Sequence, residues 1–89
     1  MAWRVEIDSA AERDLDKLDP QIARRILAVL HGRIAPLDDP RSIGEALKGS
    51  KLGELWKYRV GDCRIIANIE DGALRVLVIK VGNRREVYR

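Results

Sequence analysis

An α+β domain with the element order β-α-α-β-β-β is predicted by three features of this 89-residue sequence. Leu55 to Ile69 alternates with period two on either side of Val60-Gly61-Asp62, as two strands folded back on each other do. Two apolar stripes at helical spacing meet at Asp19-Pro20, and Leu74 to Val81 is almost continuously apolar, as befits a central strand covered on much of both faces. The sheet is expected to be largely antiparallel, with the helices as a hairpin over one of its faces.

Element by element, Trp3-Arg4-Val5-Glu6-Ile7-Asp8 alternates apolar and charged and predicts a strand with one buried face. Ser9 and Glu12 have capping-box spacing and open a helix through about Leu18, with the narrow stripe Ala11, Leu15, Leu18. Asp19 caps a second helix with Pro20 in its first turn. Ile22, Ile26, Val29 and Leu30, joined by Ala23 and Leu27, carry that helix to about Ala35-Pro36. Pro36 to Ser50 is rich in turn formers, with one short helical turn expected over Ile43–Leu47. In the hairpin, Trp56, Tyr58 and Val60 point one way and Leu55, Lys57 and Arg59 the other. On the return strand Cys63, Ile65, Ala67 and Ile69 form an apolar row, while Arg64, Ile66 and Asn68 face away from it. Glu70-Asp71-Gly72 turns the chain into the last strand, Leu74 to Val81. Gly82-Asn83 then releases it, and Arg84 to Tyr88 adds a short edge segment. Trp3, Trp56 and Tyr58 read as core, Cys63 as a small hydrophobe and His31 as a solvated helix residue.

Apolar residues at 46% and charged residues at 35% describe a globular chain rather than a disordered one. One domain over residues 1–89 is expected, without linker or repeat. No apolar run approaches the ~18 residues of a membrane span, so no membrane partner and a cytoplasmic location are expected. Charge is uneven: residues 1–47 hold seven Lys/Arg and nine Asp/Glu, a net of −2, and residues 48–89 hold ten and five, a net of +5, which together give the formal +3. The basic half is the strand-rich half, so the cations are expected on a sheet face. Gathering them there costs self-repulsion that a polyanion would relieve.

Several chemistries lack their residues. One histidine offers no acid–base pair, the carboxylates are scattered, and a single cysteine gives neither an internal disulfide nor a cysteine-based zinc site. No cofactor or metal is expected. What remains is Lys57, Arg59, Arg64, Lys80, Arg84, Arg85 and Tyr88. RNA carries its own nucleophile, the 2′-hydroxyl, so such residues can cleave it by aligning that oxygen, neutralising the phosphorane-like transition state and moving two protons. A lysine or tyrosine serves as proton acceptor if neighbouring cations lower its pKa. Composition and pattern leave simple RNA, DNA or acidic-protein binding by the same face as the alternative.

Leu47-Lys48-Gly49, the strand pair Leu55-Trp56-Lys57-Tyr58-Arg59-Val60-Gly61-Asp62-Cys63-Arg64 and the ending Val81-Gly82-Asn83-Arg84-Arg85-Glu86-Val87-Tyr88 together resemble the RelE/ParE toxin superfamily, and its RelE-like branch most. The resemblance covers essentially the whole chain. It implies a compact microbial RNase-like fold and the toxin of a type II toxin–antitoxin pair. That toxin would enter the ribosomal 30S A site, cut mRNA there without metal, and stop translation. It implies a RelB-like antitoxin as partner, and operator DNA bound only through the antitoxin complex. It places Arg64 at the phosphate, Arg84 at the transition state or the departing oxygen, Tyr88 on the substrate base, and Lys57 at a base or charge-stabilising position. Arg59 takes the adjacent basic position, and Lys48, Lys51, Lys80 and Arg85 are added as RNA contacts. The chain departs from some relatives at Leu55, where they have a second lysine, from many at Asn83, where they carry histidine, and at Cys63, where tyrosine is common. Lys57 is therefore the expected base, with Tyr88 its rival. The alternative within the superfamily is a ParE-like toxin that inhibits DNA gyrase by protein contact, or a weak relative acting mainly in its antitoxin complex.

Overall fold

A computed structural model of the chain describes residues 3–47 and 55–83. Five strands form one sheet in the order β1-β5-β4-β3-β2: β1 is Arg4–Ile7, β2 Glu45–Ala46, β3 Leu55–Val60, β4 Cys63–Glu70 and β5 Arg75–Asn83. The pairs β5–β4, β4–β3 and β3–β2 are antiparallel and β1–β5 is parallel, so the sheet is mixed and mostly antiparallel, as expected. β5 lies between β1 and β4, which explains its unbroken apolar sequence.

The chain leaves β1 at Asp8, whose N–H still bonds Val78 O at 2.9 Å. The Asp8 carboxylate accepts from Ala10 N and caps α1, Ser9–Asp16. Asp8, not Ser9, is thus the cap, because the sheet holds Asp8 extended while Ser9 has already turned. Asp19 caps α2, Pro20–Val29, as expected, and the helix widens into a π turn over Leu30–Ile34 before ending. α1 packs on β5 and α2 meets β3, so both helices cover one face. β5 outruns β1 beyond Val78, and the Asp14 carboxylate of α1 accepts the Val81 N–H there at 3.1 Å. Trp3, Ala11, Leu15, Ile26, Leu30 and Ile34 meet Tyr58, Val60, Cys63, Ile65, Ala67, Ile69, Val76, Val78 and Val81 in the core beneath. Each large apolar side chain so buried contributes about 1.5–3 kcal/mol. Trp56 is only partly buried against it.

Three expectations are corrected. The helical turn placed at Ile43–Leu47 falls earlier, as a 3₁₀ turn over Pro40–Ile43 capped by Asp39, and Glu45–Ala46 pair with β3 as an edge strand. The last strand starts at Arg75 because Leu74 closes the preceding turn in the left-handed region, with φ 48°. Gly82-Asn83 do not release the chain: they extend β5, opposite Arg64 and Cys63. The hairpin turn is as read, with Gly61 at φ 59°, a conformation that glycine adopts without strain.

Candidate functional site

Directly opposed residues in antiparallel strands share a face, so the register defines the sheet surface turned away from the helices. One row across it is Glu45, Lys57, Ile66, Lys80, and the next, towards the hairpin turn, is Arg59, Arg64, Gly82. Rows two residues apart are separated by about 7 Å and adjacent strands by about 4.8 Å. Four of the cations picked out in the sequence, Lys57, Arg59, Arg64 and Lys80, thus stand within about 10 Å of strand width. Lys80 joins them through an irregularity. Period two from Val76 and Val78 would turn Lys80 towards the core, but the register slips so that Ile66 pairs with Lys80 and Ala67 with Val78. The extra residue, Ile79, is a β-bulge that re-aims Lys80 outward, where it is exposed.

Charge on this face is sorted along the strands. Away from the hairpin, Arg75 donates to both Glu70 oxygens and to Glu6 at 2.8 Å, and Arg4 meets Glu6 at 2.9 Å. These contacts hold the Glu70 carboxyl below its ordinary range, chiefly by the hydrogen bonds from Arg75, and raise Arg75 further. Near the hairpin the described acids are Asp62, exposed in the turn, and Glu45 beside Lys57. Among the described residues no carboxylate pairs with Arg59, Arg64 or Lys80. For exposed Arg59 and Lys80 that is ordinary, but Arg64 is only 8% exposed. Its one described hydrogen bond runs from Nη1 to Cys63 O at 3.1 Å. A buried guanidinium that faces a second arginine and has no carboxylate partner among the described residues is unfavourable in the free protein. Gly82, opposite Arg64, ends its row without a side chain.

Lys57 is the exception, since Glu45 Oε2 lies 3.4 Å from its Nζ. Sequence reasoning missed Glu45, because it stands among turn formers and only the pairing of β2 brings it to this face. Its signal was indirect: Gly44 before it is needed where the chain passes the Tyr58 ring, and a Cβ there would meet Cε1 at 2.9 Å. Glu45 adds what the cations lack, an acceptor. A lysine ammonium has three donors and no acceptor, whereas an ionised carboxylate only accepts.

Lys48, Lys51, Arg84, Arg85 and Tyr88 lie outside the described residues. His31 is exposed and Cys63 buried, as expected, and no cluster of three metal-ligating side chains occurs among the described residues. A groove on the helical side, lined by Ile7, Glu12, Leu15, Asp16, Ala23 and Leu27, is acid-rimmed and unsuited to phosphate.

The site is thus an arginine–lysine face beside the Glu45 carboxylate, on a small mixed sheet backed by two helices. Residues 5–88 match the family model of the ParE toxin of type II toxin–antitoxin systems. The chain belongs to this family, within the RelE/ParE superfamily of toxins. It is 33% identical over 87 residues to toxin RelE of Mycobacterium tuberculosis, covering 98% of this chain and 87% of that protein. Toxin RelG of the same organism is 28% identical, over 100% and 99% of the two chains. Among solved structures, RelBE2 from M. tuberculosis, a toxin–antitoxin complex, superposes with a TM-score of 0.83 at 26% identity, covering 94% of this chain and 93% of that one. The archaeal RelE–RelB complex from Pyrococcus horikoshii OT3 gives 0.73 at 25% identity, covering 94% and 97%.

Proposed function

We propose that this chain is a ribosome-dependent endoribonuclease toxin that cuts mRNA in the 30S A site. The observation that carries the reading is Arg64, a buried guanidinium with no carboxylate partner among the described residues, set among Arg59, Lys57 and Lys80. An RNA phosphate would supply the missing counter-charge. Guanidinium forks match the non-bridging oxygens of a phosphodiester, and the match tightens as charge builds on them.

In the reaction, Glu45 accepts the proton of the 2′-hydroxyl, and the freed oxygen attacks the adjacent phosphorus. The bond to the 5′-oxygen breaks, leaving a 2′,3′-cyclic phosphate and a 5′-hydroxyl. Lys57, held by Glu45, donates to the attacking side, while Arg64 and Arg59 neutralise the phosphorane-like oxygens. Lys80 steadies the neighbouring phosphate, and Lys48, Lys51 and Arg85 extend the RNA contacts. The family resemblance assigns Arg84 to the transition state or the departing oxygen, which in this reading it protonates, and Tyr88 to the substrate base, which it stacks on or orients. These steps require no metal. Glu45 replaces Lys57 as the preferred base, because a carboxylate accepts a proton directly.

The same reading gives the chain one toxin domain over 1–89 and a cytoplasmic site of action. Its partner is a RelB-like antitoxin that covers the basic face, and operator DNA is engaged only through that complex. The matching family model carries the ParE name, which favours a second reading, inhibition of DNA gyrase by protein contact. Purified toxin added to ribosomes programmed with a defined message separates the two: cutting within the A-site codon supports the first, and intact message with stalled supercoiling supports the second.

A further inference from the structure

Glu45 is useful only if it is held, and β2, which carries it, is two exposed residues at the sheet edge. Beyond the pairings Glu45–Lys57 and Ala46–Trp56, its backbone tie among the described residues is Leu47 N–H to Leu55 O at 2.9 Å. So short an edge strand frays by itself. The segment in front of it is fastened far more heavily. Trp3 Nε1 donates to Asp38 O at 3.1 Å, and the buried Tyr58 hydroxyl donates to Pro40 O at 2.7 Å. Arg41 then reaches furthest. Its Nη1 and Nη2 donate to Asp71 Oδ1 and Oδ2 at 3.1 and 2.6 Å, Nη1 also reaches Asp39 at 3.3 Å, and the guanidinium lies 5.9 Å from the Trp56 ring centre.

Arg41 thereby ties three places together: its own 3₁₀ turn, β3 through Trp56, and the β4–β5 turn through Asp71. The fork is two-pronged, so it fixes orientation as well as distance. Arg41 and Glu45 are four residues apart, a span of at most ~14 Å of chain, and Gly44 between them is pressed against the Tyr58 ring. The slack between fork and carboxylate is small. The Asp71 carboxyl, held low chiefly by the hydrogen bonds from Arg41, stays ionised throughout the neutral range.

We propose that Arg41, through its fork to Asp71, is a positioning residue that sets β2 in the register bringing Glu45 to Lys57. It touches neither RNA nor the reacting atoms. The inference rests on the reading of Glu45 as proton acceptor, and its test separates the two. Asp71→Asn removes the charge and one acceptor without changing shape, and Arg41→Lys keeps the charge but loses the fork. Each is expected to lower the single-turnover cleavage rate on programmed ribosomes by about tenfold, within the ~10²-fold cost of misplacing a reacting group, with half-saturation unchanged. Placed on Glu45→Gln, Asp71→Asn should cost nothing more, because its effect passes through Glu45. Independently of cleavage, amide hydrogen exchange at Leu47 should quicken in Asp71→Asn while β4 and β5 amides keep their protection. Losses that multiply in the double variant, or Leu47 exchange that does not change, overturn the positioning role. A wild-type toxin that leaves message intact, or Glu45→Gln cutting at the wild-type rate, overturns the functional reading instead, and the Leu47 exchange then decides the positioning by itself.

Discussion

Replacing Arg64 by methionine separates a functional arginine from a structural one, because the two predict opposite signs. Arg64 is 8% exposed, its described hydrogen bond is the 3.1 Å contact with Cys63 O, and it stands directly opposite Arg59. Two unit charges roughly 6–12 Å apart at an effective dielectric of about 20 repel by about 1–3 kcal/mol. Methionine of similar length removes that repulsion and the cost of burying a charge, and gives up one hydrogen bond, about 1 kcal/mol. The net expectation is a gain of about 0–2 kcal/mol. For a chain of this size that is about 4–8 °C in Tm per kcal/mol, readable by thermal unfolding. On programmed ribosomes the same substitution should lower the cleavage rate by about 10²–10³-fold, the usual loss for one transition-state charge partner. Arg64→Met unfolding several degrees lower while still cutting message would refute the reasoning, and Arg64 would then be part of the scaffold.

Glu45→Gln should lower the cleavage rate at neutral pH by about 10²–10⁴-fold, the range for a general base, with ribosome affinity retained by the arginines; a rate unchanged at all pH values would return the role to Lys57 or Tyr88. Tyr58→Phe should destabilise the fold by about 1–3 kcal/mol, since Pro40 O is left buried without its donor, and equal Tm values would contradict the latch drawn here. Burial pushes the Tyr58 phenol up from 10.0 to about 12, so its contribution to stability is complete below pH 10 and is lost as pH rises through 12. A spectrophotometric titration should accordingly find a tyrosine ionising late in the folded protein. Ribosome affinity should fall steeply between about 50 and 200 mM salt, because phosphate contacts release counter-ions, and salt-independent binding would count against the basic face.

How far the sequence could be read follows from where each constraint lies. Local chemistry was legible: Asp19-Pro20 begins α2 because cap and first-turn proline are adjacent, and Gly61 marks the hairpin because only its φ suits the turn. The face carrying Lys57, Arg59 and Arg64 followed from period two within one strand pair. Lys80 reached that face by a different route. Its orientation depends on the bulge at Ile79, a register slip that nothing in Leu74 to Val81 announces. β2 was hidden for a similar reason, being two residues long and placed by Trp3, Tyr58 and Asp71, all distant in sequence. Glu45 was therefore invisible as a partner of Lys57 until the strands were paired. Asp8 and Ser9 both have cap chemistry, and only the bond from Asp8 N–H to Val78 decides between them.

Cleavage mapping on ribosomes carrying a known codon in the A site tests the central claim most directly. Wild-type toxin should yield a new 5′-hydroxyl end within that codon, and Arg64→Met none at the same concentration. Message that stays whole at every toxin concentration, while DNA supercoiling by gyrase stops, would contradict the account.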